Sequence, residues 1–163
     1  MPAHVTALYP FLSDYRLTNP VIAELGELCA ELPVLDVEFR RLARFPAVLY
    51  LYPCPAEGLR RLTTTIANQW PEAPPYGGAF DAVIPHLTIA HDVAESVMAD
   101  IEDHVRSALP VRTSLLEARL YVFDGARWQP RAHLPFRCSR SSRYPSGSVM
   151  NQPSGKSIQS PPL

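Results

Sequence analysis

Several familiar signatures are missing from this chain of 163 residues. No apolar run approaches the ~20 residues that a membrane span requires. The start, Met-Pro-Ala-His, lacks the charged and apolar stretches of a secretory signal. Cysteine is scarce: Cys29, Cys54 and Cys138 are odd in number and form no C-x-x-C pair, which argues against a disulfide framework or a structural zinc site and fits a reducing compartment. No Walker or dinucleotide glycine loop occurs, Gly77-Gly78 being too short, and no G-x-S-x-G elbow marks a serine hydrolase. Neither H-x-x-x-H nor C-x-x-C spacing supplies a metal ligand set, and no cofactor is expected. What remains is one soluble cytoplasmic domain, expected to be monomeric.

Proline is abundant, with 18 in the chain, and falls mostly between apolar segments as turn punctuation. The overall formal charge is -1, but the stretch 137–163 carries +4 and no acid, so the part before it carries -5. That stretch is rich in Ser, Pro and Gly without apolar periodicity and reads as a disordered, basic, solvated tail. An acidic body does not suit duplex nucleic acid, which calls for a basic face. The expected partner is therefore small, or a strand end, with no duplex DNA and no membrane.

Periodicity predicts strands over His4–Tyr9, Val37–Phe45, Ala47–Tyr52, His86–His91, Ser114–Phe123 and Arg127–Leu134. It predicts helices over Pro20–Leu32, 56–70 and Val97–Leu109, with a hairpin turn at Asp124-Gly125. The order repeats. His4-Val5-Thr6, a helix, Leu32-Pro33-Val34, a strand ending at Phe45 and a return strand correspond to His86-Leu87-Thr88, a helix, Leu109-Pro110-Val111, a strand ending at Phe123 and a return strand. The separations of His4 from His86, Leu32 from Leu109 and Phe45 from Phe123 are similar without being fixed. The fold class expected is α+β, with two pseudo-symmetric strand-helix-hairpin lobes around a central groove, all within residues 1–136.

The chemistry lies in the two His-x-Thr strands. Five His and seven Thr in a chain of this length give about 0.2 such triplets by chance, yet two occur, at equivalent places in the repeat. Side chains at i and i+2 of a strand share a face about 6.5–7 Å apart, so His4 and Thr6 point one way while Val5 and Ala7 point to the core. His86 and Thr88 do the same against Leu87 and Ile89. A two-fold relation would bring two imidazoles and two hydroxyls into one space. Displacement at phosphorus profits from a base on one side and an acid on the other, and imidazole serves as either near neutrality. The threonine hydroxyls can donate to the non-bridging oxygens.

The segments PAHVTALYPF and PPYGGAFDAVIPHLTIAH resemble the 2′-5′ RNA ligase family of the two-histidine phosphoesterase superfamily over about residues 2–136. The resemblance implies a bilobal α+β fold and metal-independent cyclic phosphodiesterase chemistry on 2′,3′-cyclic phosphates of RNA ends or nucleotides. Some members join or cleave 2′-5′ linkages. By motif, catalytic roles pass to His4, Thr6, His86 and Thr88. Members carry a strand ahead of the first motif, whereas here the motif begins at His4, so either the start is misplaced or the sheet lacks an edge strand. A nucleotide or RNA-end binding module without turnover, and a truncated inactive member, are the alternative readings.

Aromatic side chains near the motifs are candidates for holding a base. Tyr76, in the Pro/Gly loop, and Phe11 are the substrate-binding candidates, whereas Tyr9 and Phe80 read as core. His91 reads as a core or turn histidine, His104 as solvated, and His133 could line the groove. Arg40, Arg41 and Arg44 read as surface residues, any one of which could meet a terminal phosphate.

Overall fold

A computed structural model describes residues 2–80 and 82–138. The expected tail lies outside the described residues except for Arg137 and Cys138. Arg137 belongs to the folded domain, because its N–H donates to Leu32 O (2.7 Å) and its carbonyl accepts from Val34 N–H (3.2 Å).

Three helices and six strands follow one another along the chain. Helix α1 (Asn19–Glu31) begins with Pro20 in its first turn, where a missing N–H costs nothing, and ends ahead of Pro33. Strands β1 (Leu35–Phe45) and β2 (Val48–Cys54) form a hairpin whose turn includes Ala47 at φ 60, so β2 starts one residue later than its apolar run suggests. Helix α2 (Glu57–Gln69) buries Leu59, Leu62, Thr63 and Ile66 on one face. Next come β3 (Leu87–His91) and α3 (Glu95–Ser107). The expected single strand Ser114–Phe123 is in fact two, β4 (Val111–Leu115) and β5 (Glu117–Phe123). The alternation breaks at adjacent Leu115 and Leu116, where the chain leaves one sheet for another and Leu116 stays exposed. Strand β6 (Trp128–Pro135) returns after a loop over 124–127, longer than the expected two-residue turn. In that loop Asp124 Oδ1 accepts from the N–H groups of Ala126 and Arg127 at 2.9 Å each, while Gln129 donates to Oδ2. These bonds, Gln129 contributing most, hold the Asp124 carboxyl below the usual range.

The strands build an antiparallel four-stranded sheet in the order β3-β2-β1-β4 and a separate hairpin of β5 and β6. His4–Tyr9 is not the continuous strand that its alternation predicts. A single antiparallel bridge joins Val5 to Leu87, and the segment then departs from the ladder. Its carbonyls find other partners: Ala7 O accepts from Thr63 Oγ1 at 2.6 Å and Tyr9 O from Tyr76 N–H at 2.6 Å.

The repeat in the sequence becomes an exchange in space. Helix α3 packs on β1, and α1 packs on β6, so each lobe combines the helix of one copy with the hairpin of the other. The copies meet at two antiparallel junctions centred on equivalent residues. Val5 faces Leu87, and their separation along the chain is the one that relates His4 to His86. Asp36 faces Ser114 across β1 and β4, with the separation that relates Phe45 to Phe123. A local two-fold passes through each pair. One core gathers α1, α2, β5 and β6 around Leu25, Cys29, Leu62, Leu120 and Leu134; the other gathers Val37, Phe39 and Leu51. Val5 and Leu115, one at each junction, pack against both. No helix among the described residues is long and apolar enough to cross a membrane.

Two outcomes test this packing. Thr63 is 6% exposed and its hydroxyl is the anchor for the Ala7 carbonyl, so Thr63→Val leaves a carbonyl unpaired. It should lower stability by about 1–3 kcal/mol in urea unfolding with an unchanged m-value, while Thr63→Ser keeps most of it. Burial pushes the Cys29 thiol up to about 11, whereas Cys54 and Cys138 are exposed. At pH 8 a thiol reagent should therefore titrate Cys54 and Cys138 in the native protein and reach Cys29 only after unfolding.

Candidate functional site

Register decides where the motif side chains go. In the row across the sheet, Val5 faces Leu87, Leu87 faces Leu51 and Leu51 faces Leu42. All four belong to the core that packs around Val37 and Phe39. The neighbouring row therefore turns to the opposite, open side. One step along this register sets His4 opposite Thr88, which faces Tyr50 on β2, and sets Thr6 opposite His86. Directly opposed residues of an antiparallel pair share a face, so both motifs present their His and Thr together. In an ideal antiparallel pair with the register of that one bridge, the two histidines fall on a diagonal, about 7–8 Å apart.

Both imidazoles are held in the same way. His4 Nδ1 lies 2.9 Å from Pro2 O, and His86 Nδ1 lies 2.7 Å from Ile84 O. Each contact joins a ring to the carbonyl two residues before it. A carbonyl can only accept, so the bond places the proton on Nδ1 and leaves Nε2 free to take a proton in the neutral ring. The alternating backbone supplies this arrangement twice without help from a carboxylate.

The surroundings of the two rings differ. His4 and Thr88 are exposed, while Thr6 and His86 are half-buried. Phe45 and Tyr50 stack at 4.2 Å, and both set their rings edge-on to His86, at 5.3 and 5.4 Å. His4 and Thr6 open into a cleft of about 800 Å³ bounded by the N-terminal segment, by β5 and β6, and at its floor by core side chains of α1 and α2 such as Cys29 and Leu62, whereas His86 and Thr88 do not line it. Arg119, Tyr121, Phe123 and Trp128 line its far side. Glu117 also lines it, and its carboxyl is held below the usual carboxylate range by the guanidinium of Arg119, which contributes most, and by the ring of His133, which lies outside the lining.

The remaining candidates are dispersed. Phe11 is half-buried and meets Trp70 edge-on at 5.3 Å, joining the core around α1 and α2 while also reaching the cleft. Tyr76 is half-buried in the 3-10 turn Pro75–Gly78, with its N–H on Tyr9 O and its ring edge-on to Phe80; burial pushes its phenol up. Tyr9 and Phe80 are not core residues. They are 50% and 65% exposed, because the ladder ends at Val5 and the alternation that would bury Tyr9 no longer applies. His91 is likewise exposed, beside Asp92 at 3.3 Å, and is neither a core nor a turn histidine but the last residue of β3, paired with Val48. His104 is exposed on α3, and His133 pairs with Glu117 at 3.3 Å.

The three arginines of β1 separate as well. Arg44 fastens α3 to the sheet through Glu95 and Glu102, both at 2.6 Å, and Arg40 pairs with Glu38. Arg41 instead sits over the Tyr52 ring at 5.5 Å, and Arg60 Nη2 donates to the Tyr52 hydroxyl at 2.5 Å. The aromatic pair around His86 escaped the sequence reading, which weighed only aromatics next to the motifs in the chain. The correspondence of Phe45 with Phe123 in the repeat was the available signal.

This chain is similar to known proteins. A protein of Geobacillus kaustophilus (strain HTA426) named "Putative phosphoesterase GK0864" is 26% identical over 110 residues, covering 65% of this chain and 61% of the relative. The chain thus spans about three fifths of the length of the curated relative it matches. The model of the 2′-5′ RNA ligase superfamily matches residues 1–127, which takes in both His-x-Thr segments, both junctions between the copies and five of the six strands. The chain belongs to the 2′-5′ RNA ligase superfamily.

Proposed function

We propose that this protein is a phosphodiesterase that opens 2′,3′-cyclic phosphates at RNA ends or on nucleotides, without a metal, by acid-base catalysis between His4 and His86. One observation carries the reading: two histidines on the diagonal of an antiparallel pair, each with Nδ1 tied to the carbonyl two residues earlier and Nε2 left free. Membership of a phosphoester-processing superfamily supports it.

A cyclic phosphate between the two rings is set for in-line displacement. One imidazole takes a proton from water as the water oxygen bonds to phosphorus. The other, protonated, donates to the ribose oxygen as its bond to phosphorus breaks, so that one proton enters and one leaves. The two rings are related by the local two-fold, and the same pair serves hydrolysis or, with a ribose hydroxyl in place of water, formation of a 2′-5′ linkage. Thr6 and Thr88 lie beside them and donate to the non-bridging oxygens, where charge builds up. Each positioned acid or base typically contributes 10²–10⁴-fold.

Turnover of 2′,3′-cyclic nucleotides should persist in EDTA and fall by about 10²–10⁴-fold in His4→Ala and in His86→Ala. Loss of both Thr hydroxyls, as Thr6→Val with Thr88→Val, should lower kcat further than it raises KM. Saturable nucleotide binding without turnover by the wild-type protein would reduce the reading to a binding module. Turnover that survives both histidine substitutions would overturn it.

A further inference from the structure

The repeat that matches Phe45 with Phe123 also matches Tyr50 with Trp128, so each hairpin carries an aromatic pair at the same place. The two pairs are used differently. Phe45 and Tyr50 stack on each other and press against His86, and Tyr50 is only 7% exposed. Their faces are occupied by the protein itself. Phe123 and Trp128 pair directly across β5 and β6 with ring centres 5.5 Å apart and a 52° tilt. They remain 51% and 39% exposed. The ring that reaches Trp128 from the first motif segment is not a histidine but Tyr9, edge-on at 6.0 Å. Three aromatic rings thus stand open at one end of the cleft that holds His4 and Thr6.

Large aromatic surface left open at a concave site marks a ligand contact, and a cleft of this volume takes a nucleotide. A partly exposed indole in the cleft that His4 lines suits a planar heteroaromatic ring joined to the reacting phosphate by a sugar. We infer that Trp128, framed by Phe123 and Tyr9, is the stacking platform for the nucleobase of the substrate, so the cleft selects nucleoside cyclic phosphates over base-free ones. This rests on the phosphodiesterase reading and adds the group that is recognised. Stacking tolerates any base, so purine and pyrimidine substrates should be turned over alike.

The test compares adenosine 2′,3′-cyclic phosphate with ribose 2′,3′-cyclic phosphate, which has no base. Trp128→Ala should lower kcat/KM on the nucleotide by about 5- to 140-fold, through KM, and leave the base-free substrate little changed. Trp128→Phe, which keeps a ring, should retain most activity on both. An equal loss on both substrates, or no loss on the nucleotide, overturns the platform. A second measurement is independent of turnover. Adenosine 2′-monophosphate should quench the tryptophan fluorescence of the wild-type protein saturably, and this quenching should vanish in Trp128→Phe, which retains only the buried Trp70. Quenching in a protein that hydrolyses neither substrate would sink the catalytic reading and keep the platform, whereas quenching that persists in Trp128→Phe would remove the platform alone.

Discussion

One antiparallel contact, Val5 against Leu87, determines what the rest of the molecule can do. It joins the two copies of the repeat at their motifs, and its geometry leaves little freedom. With Val5 and Leu87 facing the core, the residues on either side must face out, and both His-x-Thr pairs do so together. A slip of one residue would turn His4 and Thr6 into hydrocarbon, while His86 and Thr88 stay fixed by the pairing of β3 with β2. The register is protected because Val5 packs against both cores and because its row continues through Leu51 to Leu42.

The exchange between the copies explains why so small a domain carries a built groove. Each hairpin is covered by the helix of the other copy, so neither lobe buries its apolar face without its counterpart. The groove lies where the copies cross, at the end of both cores. The N-terminal segment is held there at separate points rather than by a ladder, through the Thr63 hydroxyl on Ala7 O and the backbone N–H of Tyr76 on Tyr9 O. A segment held at separated points offers its remaining backbone and side chains to a ligand. That is also why a cleft opens along it.

The two-fold relation is kept in the backbone and relaxed in the side chains. Both histidines make the same bond to a carbonyl two residues back, since that bond needs only extended chain. Their neighbours diverge: Phe45 and Tyr50 enclose His86, while Phe123 and Trp128 stand open and Tyr9 occupies the approach to Trp128. Two equivalent rings with different flanks offer two different surroundings to one bound molecule.

The sequence determined the elements whose periodicity is strong and locally caused: the three amphipathic helices, the hairpins, and the alternation that sends Val5 and Leu87 one way and the histidines the other. It also determined the repeat, since equivalent marks recur in the same order, His4 with His86, Leu32 with Leu109 and Phe45 with Phe123. Tertiary structure alone decided the rest. Period-2 alternation from His4 to Tyr9 cannot reveal that only Val5 finds a strand partner, so Tyr9 and Phe80 read as core yet are exposed. Arg40, Arg41 and Arg44 look alike in the chain, and only the arrival of α3 commits Arg44 to Glu95 and Glu102. The aromatic partners of His86 stand far ahead of it in the chain, at Phe45 and Tyr50, and depend on the β2–β3 register. Local pattern reports which face a side chain takes; which face another segment covers depends on contacts between residues distant in sequence, and no local pattern encodes those.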